Sequence, residues 1–397
     1  MIKSKVSRRS SVSLRKLPNN VSPWIKPRHN MTIIFDAHSH IFPSMLHGEV
    51  FDDTCLKELQ YHVRFPGPGG YRRVRDNEPL LEPVMVGEGD GDISSLPDLN
   101  FRIGWYGRVL ITYEGEDYYF QHGPPSYADL SFPPEQVVAQ MDFAGIDRAV
   151  IQHDRLYGRL DDYLANTVER YPDRLVVLGM IDEWRGGEAD QLERLRHQVE
   201  DLGFSGLYFS TGGFCHNDFA FGINDDILEP LWTLVADLGI PIHWFAANRK
   251  QPRLQHYLSE IDEFAQWGRV HPQIPSVLTH GLENLRIDID RPDRFDIPAQ
   301  IIDLISLPNW HIELMIHKML HDVEFAPYHP PASQVIRDLS ESVGAHKLMW
   351  GSDMPGCEKV TTYRQSRILY ETQTDFLSND ERAGLMGGNV QKLYPPK

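Results

Sequence analysis

From about residue 130 onward, short apolar runs alternate with amphipathic stretches. The runs are "RAVIQ" (148–152), "RLVVLGM" (174–180), "SGLYF" (205–209), "IPIHW" (240–244), "PSVLT" (275–279), "WHIELM" (310–315) and "KLMWG" (347–351). Most are apolar on both faces, as strands of a buried parallel sheet must be. "IIFDA" (33–37) is an earlier run of the same kind. Between them, "PPEQVVAQMDFAGI", "DDYLANTVERYP", "EADQLERLRHQVEDLG" and "NDDILEPLWTLVADLG" read as amphipathic helices, the last with an Asn start and a Gly stop. Eight strands, each followed by a helix and with no evident break, predict an α/β fold: a (β/α)8 TIM barrel over residues 31–397. A doubly wound open sheet is the competing architecture, but no G-x-G-x-x-G follows the first strand.

The interval 44–130 departs from this rhythm. It is rich in Gly and Pro ("RFPGPGGYRR") and in aromatics set in alternating patterns ("RIGWYGRVLITYEGEDYYF"). This pattern predicts a small β-rich insertion after the first strand, at the mouth of the barrel where active sites are built.

Composition narrows the partners. The chain of 397 residues carries a formal charge of −17, but residues 1–30 hold eight Lys or Arg and no acidic residue. They read as a basic N-terminal arm that packs on the acidic body or on a partner subunit, with a transit-like peptide or an upstream extension as alternatives. The remainder has 31 basic and 56 acidic residues, a balance of −25 that would repel polyphosphate and argues against nucleic acid as a partner. No apolar run is long enough to span a membrane, so no membrane role is expected. Three scattered cysteines (Cys55, Cys215 and Cys357) make neither a disulfide framework nor a C-x-x-C site, which suits a reducing, cytoplasmic compartment.

The chemistry concentrates at strand ends. With 18 histidines, an H-x-H such as His38-Ser-His40 arises roughly once by chance, so only its context gives it weight. Here it closes the first strand, where residues two apart point the same way. Two imidazoles in an apolar core need partners, and a shared metal ion supplies one. His243 in "IPIHW", His280 ending "IPSVLTH" and Asp353 after "KLMWGSD" add three polar groups near strand ends. Nitrogen and oxygen donors of this kind suit zinc or a similar divalent ion with one position left open.

The order H-x-H, then His after strand five, "LTHG" after strand six and "GSD-x-P" after strand eight resembles the amidohydrolase-related branch of the amidohydrolase superfamily. The likeness is to the decarboxylases grouped around 2-amino-3-carboxymuconate-6-semialdehyde decarboxylase. "FDAHSHIFP", "ERYPDRLVVLG" and "GLMGGNVQKLY" fit that group's opening, third-strand and closing segments, so the likeness runs from about Met31 to the end. It implies one divalent ion, zinc or else manganese, held by His38, His40, His243 and Asp353. His280 would be the acid–base residue over the bound water; in a hydrolysis, Asp353 or His280 would move the proton. Two-metal relatives place a lysine at the end of strand four; "FSGLYFST" has none, so a single ion is expected.

A carboxylate substrate would need a cationic clamp, for which Arg72, Arg73 and Arg75 in the insertion, Arg108 in "WYGRV" and Arg249 are candidates. Trp244 and Phe245 offer surfaces for a planar substrate, and His317 a further contact. Glu313 and His153 can reach the rim, with no role attached to either. The expected activity is a mononuclear metal-dependent decarboxylase of a small unsaturated or aromatic acid. A lactone or amide hydrolase or a hydratase on the same scaffold is the alternative, and a non-catalytic binding protein the third reading. The resemblance also implies a homodimer.

Overall fold

The computed structural model describes residues 33–47, 51–65, 70–86, 93–247, 254–282, 296–315 and 330–396. The basic arm, Arg249 and His317 fall outside them.

Eight parallel strands appear where the apolar runs predict them. They are β1 (Phe35–Ser39), β6 (Arg148–Ile151), β7 (Leu175–Val177), β8 (Leu207–Ser210), β9 (Ile242–Phe245), β10 (Ser276–Leu278), β11 (Trp310–Leu314) and β12 (Leu348–Trp350). Pairing runs β1–β6–β7 and β8–β9–β10–β11–β12. Parallel bridges Gly179–Leu207 and Ser39–Met354 join these sets at both seams and close the barrel.

Strand alternation sorts the side chains into two apolar layers. Phe35, Val150, Val176, Tyr208, Phe245, Val277 and Met349 share the inner cluster. Their neighbours in sequence, such as Ala149, Phe209, Trp244, Leu278 and Trp350, join the larger cluster that includes the helices' apolar faces. Each such large side chain contributes roughly 1.5–3 kcal/mol through burial, so register errors that would exchange the layers are strongly disfavoured.

The insertion holds a helix, Asp53–His62, capped by the Asp52 side chain on the Cys55 amide. It also holds a four-stranded antiparallel sheet in the order β2 (Arg72–Arg73), β5 (Glu116–Gln121), β4 (Arg108–Tyr113), β3 (Arg102–Ile103). The β4–β5 hairpin turns on Glu114 and Gly115, both at positive φ (50° and 79°), the twist that tight two-residue turns demand.

Candidate metal centre

A one-residue slip in β1 builds the centre. Asp36 pairs with Ala149, but Ser39 pairs with Ile151, so β1 takes three steps where β6 takes two. The extra residue shifts the alternation: Phe35 stays with the inner cluster, while His38 and His40 also turn inward. Asp36 faces the other way and ties β1 to the loop after β12. It accepts hydrogen bonds from the Ser352 amide (2.8 Å), the Ser352 hydroxyl (2.6 Å) and the Tyr363 hydroxyl (2.6 Å). Even with these donors, burial raises the Asp36 carboxyl to about 6.

The ring nitrogens of the two histidines can be assigned from their partners. His40 Nδ1 lies 2.8 Å from the Gln152 carbonyl oxygen, which only accepts, so Nδ1 carries the proton. His38 Nδ1 lies 2.7 Å from Glu313 Oε2, and against a carboxylate it too is the donor. Both Nε2 atoms then present lone pairs, 3.0 Å apart. Asp353 Oδ1 stands 3.0 Å from His40 Nε2 and 3.6 Å from His38 Nε2. Three buried acceptors therefore face one another, their ligand atoms all within 4.8 Å, and among the described residues they form the group able to hold a metal ion. Acceptors crowded in this way repel, and a cation between them turns the repulsion into ligation.

Glu313, bonded to His38, is itself an unusual acid. Burial pushes its carboxyl well above the usual range, and Asp36 and Asp353 add to the push.

The loops carrying the remaining groups are held in costly backbone. Asp353 and His280 adopt left-handed conformations (φ 59° and 53°), uncommon for residues other than glycine and concentrated at functional sites. Gly356 allows Asp353 its place, since a Cβ there would stand 2.6 Å from Asp353 Oδ2. The His280 ring lies edge-on to His38, with centroids 4.8 Å apart, and against Phe245 at 4.6 Å. Tyr257 anchors the following residue by donating its hydroxyl to the Gly281 carbonyl at 2.7 Å.

His243 lies outside the three-residue group. Its Nδ1 sits 2.9 Å from Glu313 Oε1 and its Nε2 2.9 Å from the Tyr394 hydroxyl. Burial lowers its pKa to about 3 and keeps it neutral. The next inward side chain along β9 is Phe245, and that ring, not His243, meets His280. Trp244, expected against a substrate, points out of the barrel. It is fully buried among Phe209, Trp232, Phe264 and Trp267 and donates its indole N–H to Ser276 Oγ.

The arginines of the lobe are engaged within it. Arg72 donates to the Asn77 carbonyl, and Arg73 forms a two-bond pair with Asp76. Arg75 pairs with Glu116, and Arg108 stacks its guanidinium 4.0 Å over the Tyr119 ring. Side chains to which the sequence analysis attached no role stand at the centre. Tyr157 stacks flat on Phe42 (4.4 Å) with its ring 5.3 Å from His40. Burial raises its phenol well above the ordinary value, and Asp353 and Asp154 raise it further. Gln152 was visible only as the polar end of "RAVIQ", and Glu313 only as an acid within "WHIELM".

A closed parallel barrel with His, His and Asp gathered at its mouth is the architecture of a metal-binding hydrolase-type enzyme. The family model described as Amidohydrolase matches residues 35–395, and the chain belongs to that family of enzymes. No curated protein matches the chain in sequence. Among solved structures it is similar to an amidohydrolase from Burkholderia multivorans with bound HEPES, at 16% identity and TM-score 0.51, covering 68% of this chain and 90% of that one. It is also similar to a probable 2-pyrone-4,6-dicarboxylic acid hydrolase from Acinetobacter baumannii (18%, 0.49, 67% and 90%). A third is 5-carboxyvanillate decarboxylase from Sphingomonas paucimobilis (16%, 0.47, 68% and 84%). At such identity the Burkholderia likeness shows the barrel fold alone.

Proposed function

We propose that the chain is a mononuclear metal-dependent carboxy-lyase acting on a small unsaturated or aromatic carboxylic acid. The observation that carries the metal is the convergence of His38 Nε2, His40 Nε2 and Asp353 Oδ1 as mutual acceptors. The choice of decarboxylation rests on the sequence resemblance of "FDAHSHIFP", "LTHG" and "GSD-x-P" to the decarboxylase branch. Zinc or manganese suits this nitrogen and oxygen donor set.

A divalent ion held there would act as a Lewis acid on a substrate oxygen and lower the pKa of a bound water. The chain's own residues do the rest. His280, edge-on to His38, carries the proton. As the carbon–carbon bond to the substrate carboxylate breaks and CO2 leaves, that proton replaces it at carbon. The Phe42–Tyr157 stack and Phe245 provide flat apolar walls for a conjugated substrate. With the lobe arginines engaged elsewhere, the substrate's charge would meet His280 and the cation itself. The sparse, scattered cysteines suit a reducing, cytoplasmic compartment, and the resemblance implies a homodimer.

The test is metal-stripped protein reloaded with zinc or manganese and offered carboxylated muconates, hydroxybenzoates and lactones. CO2 release that depends on metal is the expected result. Ring opening of a lactone without CO2 would assign the same centre to a hydrolase, the second reading, and turnover that survives stripping would overturn both.

A further inference from the structure

We infer that His243 is not a ligand of the metal but a positioning residue: it holds Glu313, and Glu313 holds His38. The inference rests on the proposed reading of His38, His40 and Asp353 as the ligands, and deepens it.

A hydrogen-bonded chain descends from the centre into the barrel, and its donors and acceptors close consistently. Gln152 Nε2 lies 2.6 Å from Glu313 Oε1, 3.0 Å from the Ala37 carbonyl oxygen and 2.9 Å from His243 Nδ1. An amide nitrogen donates twice and accepts nothing. Its two hydrogens therefore go to the two oxygens, and His243 Nδ1 is left to donate its own hydrogen to Glu313 Oε1, 2.9 Å away. That makes His243 Nε2 an acceptor, and the Tyr394 hydroxyl, 2.9 Å distant, donates to it. Glu313 thus receives three N–H groups, from Gln152 and His243 on Oε1 and from His38 on Oε2.

The last of these sets the chemistry. The bond from His38 Nδ1 to Glu313 holds the ring in the tautomer whose Nε2 lone pair faces His40 and Asp353. Outer partners of this kind orient a ligating imidazole and raise its basicity. Both nitrogens of His243 are already used in this role, and the ring is fully buried. Moving it to the rim would strip Glu313 of a donor and orphan the Tyr394 hydroxyl inside the barrel, each costly where water cannot enter. Phe245 occupies the inward step of β9 that faces His280, so strand five presents a phenyl where a fourth ligand would stand.

Cobalt titration of the full-length, metal-stripped protein distinguishes a ligand from a residue that positions one, because the cobalt spectrum reports the donor set as well as the affinity. Glu313→Gln should weaken cobalt binding by roughly 10–100-fold, the range for outer-partner substitutions. His243→Gln should lose less, still bind one equivalent and keep the spectrum of the unsubstituted protein. Loss of binding in His243→Gln as complete as in His38→Ala, or a changed spectrum, overturns the inference, as does unaltered affinity in Glu313→Gln. Tyr394→Phe deletes a single hydroxyl and guards against misfolding of the other variants. It should weaken binding severalfold with the spectrum kept, and unchanged affinity would remove the lower half of the chain. If the unsubstituted protein binds no cobalt, the centre itself falls, and this inference falls with it.

Discussion

Strands β1 and β9 both carry inward histidines, yet they put them to different use. On β1 the pairing slips by one residue between Asp36 and Ser39, and His38 and His40 arrive at the rim beside Asp353. On β9 the pairing to β8 and β10 is regular, and His243 stays one inward step below the rim, bonded to Glu313. The residue type is the same and so is the direction. A single extra residue in the ladder separates the histidines at the rim from the one below it, because alternation leaves no intermediate placement.

Breaking the β1 side should have the largest effect. His38→Ala or His40→Ala should lose the bound metal and, with it, activity, by more than the roughly 10–100-fold of a supporting residue; metal analysis of purified protein checks this. Next comes the group above the centre. His280→Asn should retain a full equivalent of metal while turnover falls on the order of 10²–10⁴-fold, the contribution of a positioned acid–base residue. Retained turnover would send the proton elsewhere. Phe245→His sharpens the comparison from the β9 side by placing an imidazole one inward step higher. It should tighten cobalt binding and alter its spectrum as a fourth nitrogen enters the donor set.

The smallest effect concerns two histidines that take no part in the centre: His153, on the opposite face to Gln152, and His311, one inward step below Glu313 on β11. His153 follows the inward Gln152 and is buried. Burial is the chief cause that lowers His153 and His311 to about 4. An unfolded histidine titrates near 6.5, so the unfolded chain binds protons more readily over this range. The stability that depends on their neutrality is complete above about pH 6.5 and is lost as the pH falls towards 4. Denaturant midpoints at pH 7 and pH 5 should show the drop, and His153→Gln should reduce it.

The barrel was legible because buried parallel strands write themselves as apolar runs, and all eight appear within a few residues of their expected bounds. That His38, His40, His280 and Asp353 would stand near one another was legible because polar groups at strand ends stand out against that background. The place of His243 was not. "IPIHW" ends in the sequence reading at Trp244, but β9 continues to Phe245, so the rim lies further along than the apolar run suggests. Trp244 was misplaced for the related reason that one step along a strand reverses the face. The lobe arginines looked available because charge runs do not reveal their partners. Asp76, Glu116 and the Tyr119 ring take three of them, and pairings made across a turn or a hairpin carry no period to read. Glu313 was visible as one acid in "WHIELM", and only the meeting of β6, β9 and β11 inside the barrel shows what it holds.

The most direct measurement is an anomalous difference map from a crystal of the protein loaded with zinc or manganese. The expected result is one peak within bonding distance of His38 Nε2, His40 Nε2 and Asp353 Oδ1, with His243 still on Glu313 and Tyr394. A peak bonded to His243, or no peak at the barrel mouth, would contradict it.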